Sequence, residues 1–109
     1  MKLFILFLVV SCSFVGNTQQ LNTIQKLPEY LSEISGLTFL NDTTLVAHND
    51  SGNDPVLYFL NLKGNVIHQV QVTNAKNKDW ESIASDGHFL YIADIGNNNN
   101  NRKDLVIYK

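Results

Sequence analysis

The chain has 109 residues, 44% of them hydrophobic and 17% charged, and eight Lys and Arg against ten Asp and Glu leave a formal net charge of -2. That length allows one small domain, and the balanced charge excludes a nucleic-acid or anionic-membrane binder held by a basic patch. A single cysteine excludes an internal disulfide framework and a cysteine-rich zinc site.

Residues 1–19 read as an export signal. Lys2 supplies the positive start, and Leu3 to Val10 is an apolar run of signal-peptide length. The run is far shorter than the roughly 20 apolar residues a membrane-spanning helix needs. Two processing routes fit. Val9-Val10-Ser11-Cys12 resembles a lipoprotein box, which would make Cys12 the lipidated first residue and anchor the protein to a membrane. Otherwise a peptidase cuts between Val15 and Gln19 and the cysteine is discarded. Both routes place the protein outside the cytoplasm, as a secreted, periplasmic or lipid-anchored product.

Residues 20–109 follow a strand-and-turn pattern with a hydrophobic period near two. One helix-like turn is expected around Glu29 to Glu33. Strands are expected over Ile34–Phe39, Thr43–His48 and Val56–Leu60. Between them lie Asn41-Asp42 and the turn-forming run Asn49 to Pro55. Gly64 offers a positive φ in the next turn. Val66–Val72 alternates, which predicts a fourth strand with one buried face. The pattern then restarts: Trp80–Ser85, the tight turn Asp86-Gly87, His88–Ala93, a polar loop with five consecutive asparagines from Asn97 to Asn101, and Leu105–Tyr108.

The chain is also self-similar. Glu33 to Leu37 pairs with Glu81 to Ser85, Asp50-Ser51-Gly52 with Asp94-Ile95-Gly96, and Leu57-Tyr58 with Ile107-Tyr108. A strand unit repeating every 45 to 50 residues points to β-propeller blades, here about 33–73 and about 79–109. A small sandwich or a lone meander is the alternative. The fold class is therefore all-β, as four-stranded antiparallel blades of an incomplete propeller.

The stretches His48 to Gly52, Asp79-Trp80-Glu81 and Asp94 to Asn98, with the pattern around them from Ile34 to Tyr108, resemble a family of secreted bacterial β-propeller proteins. NHL-repeat, phytase-like and gluconolactonase-like propellers are more distant likenesses. The resemblance implies a fold and leaves the activity open. One departure stands beside Glu81, where Ser82 follows directly and the family's usual acidic residue is absent. A propeller closes with about 4–8 blades, so the remaining blades are expected from a longer chain or from other copies.

Candidate chemistry rests on carboxylates. Glu33 and Glu81 are expected at matching strand starts, and Asp50 and Asp94 at matching strand ends. Converging carboxylates suit a calcium-type cation, which takes six to eight oxygen ligands. Asn49, Asn97 and Asn98 can add neutral oxygens, and Trp80 can serve as a stacking platform or as core. The plainer account of these residues is turn chemistry, in which Asp caps its own backbone. Ser51, His48 and Asp50 make a poor catalytic triad, because neighbours along one strand end point in different directions.

The function expected first is an exported, non-enzymatic module that binds a ligand or protein. A calcium-dependent hydrolase of the lactonase or phosphoesterase kind is the second reading. An inactive truncated remnant is the third.

Overall fold

The computed structural model describes residues 16–109. The apolar run Leu3 to Val10 and Cys12, expected from sequence to belong to an export signal, lie outside them. No helix among the described residues is long and apolar enough to cross a membrane.

The described chain is all-β and forms two antiparallel meanders. Sheet one holds β1 (Ile34–Asn41), β2 (Thr44–Asn49), β3 (Val56–Asn61) and β4 (Val66–Gln71), neighbours in chain order. Sheet two holds β5 (Trp80–Ser85), β6 (Leu90–Asp94) and β7 (Val106–Tyr108). A short 3-10 turn, Glu29–Leu31, occupies the position of the expected helical turn.

Side-chain acceptors at the turns explain why the chain doubles back where it does. Asn41 Oδ1 accepts the Thr43 N–H, Asn61 Oδ1 accepts those of Lys63 and Asn65, and Asp86 Oδ1 accepts those of His88 and Phe89. Each carboxamide or carboxylate thus satisfies turn amides that no neighbouring strand reaches. Asp86 holds His88 and Phe89 in the turn, so β6 begins at Leu90 and not at the expected His88.

The two sheets stack through their side chains. Val46 and Leu57 of sheet one meet Trp80, Ile83 and Ile92 of sheet two, with Phe59, Leu90 and Tyr108 at the margin. β1 lies alongside β5, and the Ser35 hydroxyl donates to the Trp80 carbonyl at 2.7 Å across the seam. A smaller cluster of Leu31, Ala47 and Leu60 sits on the opposite face of sheet one. The sheets remain open, with β4 and β7 as free outer strands among the described residues.

Two sequence expectations need correction. β4 does not bury a face: Val66 is half-buried and the remaining residues are exposed. It is the outermost strand of its sheet, and its alternation is not matched by a covering layer. The second correction concerns which residues of the two sheets occupy matching ladder positions. Leu37 pairs with Ala47 and Ala47 with Tyr58, just as Ile83 pairs with Ile92 and Ile92 with Tyr108. Tyr58 and Tyr108 are therefore equivalent, as expected. Ile34 pairs with Asn49 as Trp80 pairs with Asp94, which equates Glu33 with Asp79, not with Glu81. Likewise Asn49, not Asp50, is the counterpart of Asp94. Each first strand carries a register shift, at Ser35 and at Glu81. A bulge inserts one residue and re-aims its side chain, so Glu81 is the counterpart of Ser35.

Candidate functional site

The end of the seam where β2 and β6 run out gathers the polar residues. Asn77 is its keystone. Its Nδ2 donates to the Asn49 carbonyl at 2.9 Å and to the Asp50 carbonyl at 2.8 Å, and its Oδ1 accepts the Trp80 N–H at 3.0 Å. One buried carboxamide thus ties the end of β2 in sheet one to the start of β5 in sheet two.

Trp80 is fully buried beside it. Its indole N–H donates to the Lys76 carbonyl at 3.2 Å, and its ring meets that of His48 edge-on at 5.5 Å between centroids. This is the core position weighed from sequence, with the indole N–H satisfied, as buried tryptophan requires. His48 is equally buried. Its Nδ1 lies 3.0 Å from the Asn49 carbonyl, which can only accept, so Nδ1 carries the proton. Nε2 has no hydrogen-bond partner among the described residues. The ring fits because residue 36 is glycine: a Cβ there would overlap His48 Nε2.

Three carboxylates converge next to this core. Asp50, Asp79 and Glu81 each place an oxygen within 4.8 Å of the others. Asp50 follows β2, and its N–H donates to the Glu33 carbonyl at 2.8 Å. Asp79 precedes β5, where its N–H donates to Asp94 Oδ1 at 3.0 Å and its carbonyl accepts the Gly96 N–H at 3.1 Å. Its carboxylate lies against Gly96, where a Cβ would overlap it. Glu81 is delivered by the bulge in β5. Desolvation first, then the charges of Asp79 and Asp50, push the Glu81 carboxyl above its ordinary value. Three like charges this close repel, and a cation relieves that repulsion by taking their oxygens as ligands.

Of the four carboxylates singled out from sequence, the fold brings Asp50 and Glu81 together and leaves the other two outside the cluster. Glu33 accepts from Asn53 Nδ2 at 2.8 Å on the exposed rim. Asp94 is fully buried, and its Oδ1 also accepts from Arg102 Nη1 at 2.9 Å. Asp79 takes the place of Glu33. It stands in the Asp79-Trp80-Glu81 motif, so the sequence carried a signal for it. Asn77 had none beyond its setting in a polar stretch.

Two of the three amides are engaged within the protein. Asn49 Nδ2 donates to the Tyr30 carbonyl at 2.7 Å, and Asn97 Oδ1 accepts the Arg102 N–H at 2.9 Å. Asn98 lies exposed in the loop. Arg102 pins that loop through Asp94, the Gly96 carbonyl and Asp104. Lys78 also pairs with Asp104, and the two cations, Lys78 foremost, hold the Asp104 carboxyl down at about 2.

Comparison with known proteins returns no match among protein-family models, curated proteins or solved structures.

Proposed function

We propose that the chain is an exported binding module of the β-propeller kind, and that it holds a calcium-type cation at Asp50, Asp79 and Glu81 to engage its ligand. The observation that carries the reading is the convergence of three carboxylates from both sheets at one end of the seam. The propeller assignment draws support from two sheets of matching register, stacked face to face with their first strands side by side. The export assignment rests on the apolar run after Lys2.

The three side chains offer carboxylate oxygens, which suit a hard cation and not a soft one. The cation leaves coordination positions for an anionic or hydroxyl-bearing ligand. The hydrolase reading would draw on the same three carboxylates, and no further residue among those described favours it over binding.

Calorimetric titration with Ca²⁺ tests the proposal. One cation per chain is expected, with binding lost in Asp79→Asn and retained in Glu33→Gln. Absence of any heat of binding in the wild-type chain overturns it.

A further inference from the structure

The stacking of the two sheets uses unlike faces. Sheet two contributes the face bearing Ile83, Ile92 and Tyr108, and sheet one contributes the face bearing Val46 and Leu57. The equivalent of the first face on sheet one carries Leu37, Ala47 and Tyr58, in the same cross-strand row. Phe39 lies two residues beyond Leu37, opposite Leu45, and extends that face.

Much of this face is left open. Leu37 is 56% and Phe39 60% exposed. The 3-10 turn covers only the part around Leu31, Ala47 and Leu60. Sheet two has the reciprocal gap. Its counterpart of the Val46/Leu57 face of sheet one carries Tyr91 and Ile107, in line with Ala84 and Ala93. Ile107 is 64% exposed. Among the described residues each sheet thus has one face buried in the internal stack and one apolar face largely uncovered, and these two faces are of the two kinds that pack together inside the chain.

We infer that Leu37 and Phe39 of one copy dock on Ile107 and Tyr91 of a second copy, continuing the internal stack from head to tail. The inference rests on the repeat reading of the two sheets and is independent of the cation. A contact of this kind joins different patches on the two partners, so it propagates until the rotation closes a ring. Exposed apolar surface that is rimmed by polar turns is where such association is expected.

Sedimentation of the exported chain, with two charge variants, tests this. The wild type is expected to assemble with rising concentration. Phe39→Asp and Ile107→Asp each spoil one face only, so each is expected to be monomeric with the wild-type near-ultraviolet signal of Trp80. Mixed in equal amounts, the two variants are expected to give a heterodimer and nothing larger, since each keeps one sound face. Should the aspartates disturb folding, Phe39→Ser and Ile107→Ser serve in their place. A wild type that melts cooperatively yet stays monomeric overturns the docking and leaves the internal stack standing. A wild type with no cooperative melt overturns both. Assembly unaffected by either variant, or variants that never pair when mixed, also overturns the docking.

Discussion

At equivalent ladder positions, β2 ends on Asn49 and β6 on Asp94, both buried and each facing the first residue of its neighbouring strand. The amide makes one side-chain bond, to the Tyr30 carbonyl. The carboxylate accepts from the Asp79 main chain and from Arg102, and through Arg102 it fixes the loop that leaves sheet two. A neutral group suffices where the next segment is a short turn of its own design. A charged one appears where a long polar loop must be held against the sheet. A buried charge survives there only because it is paired and hydrogen-bonded.

Removing the two side chains separates these roles. Asp94→Ala deletes a fully buried charge, strands the Asp79 N–H and frees the loop. A loss of about 3 kcal/mol is expected, at the lower end for breaking a buried pair. Asn49→Ala forfeits a single hydrogen bond and is expected to cost about 1 kcal/mol. Urea denaturation of both variants checks the difference. Equal losses would mean that the carboxylate does no more than the amide.

A second contrast lies one residue earlier. His48 of sheet one stacks its ring over Gly36, whereas sheet two places Ala93 opposite Ser82. The large ring demands a partner without a side chain, and the small methyl tolerates one. Gly36→Ala is accordingly expected to destabilise by about 2 kcal/mol through overpacking against a ring that cannot retreat. Adding His48→Ala should recover part of that loss, giving a favourable coupling in a double-mutant cycle. Ser82→Ala, at the equivalent site, is expected to be nearly neutral.

These contrasts also show where sequence reasoning reaches and where it stops. Strand positions were legible because period-two patterning and turn residues such as Asn41, Asn61 and Asp86 act locally. The buried face expected of Val66–Val72 was not, since alternation records which residues share a side but not whether anything covers it. The match between the two sheets' ladders was legible in Tyr58 and Tyr108. Its register at the first strands was not, because the bulges at Ser35 and Glu81 displace the apparent match from Asp79 to Glu81. Of the four carboxylates named from sequence, Asp50 and Glu81 converge in the fold, and they are joined by Asp79, which the sequence marked only as part of the Asp79-Trp80-Glu81 stretch. Asn77 acts through three bonds to main chain that is distant in sequence, and no local pattern announces such a role.

The smallest effect separates the crowded carboxylates at the seam from the paired one at Asp104. Glu81 titrates above the ordinary 4.5 in the folded chain, so the folded state takes up its proton before the unfolded state does. Stability should then rise slightly as pH falls from 7 towards 4.5, because protonation relieves first the desolvation of the charged carboxylate and then its repulsion with Asp79 and Asp50. Asp104 runs the other way. Held at about 2 against an ordinary 3.8, it lends stability that is lost as pH falls through that interval. Both groups face solvent, so each contribution should be small. Melting temperature against pH is expected to show a shallow maximum between these two windows. Glu81→Gln should abolish the rise and leave the acid-side fall, while Asp104→Asn should flatten the fall and leave the rise. A profile that declines steadily from pH 7 in the wild type would show that the Glu81 carboxyl is not raised by burial and by its acidic neighbours in the folded chain, and the case for a cation beside it would weaken accordingly.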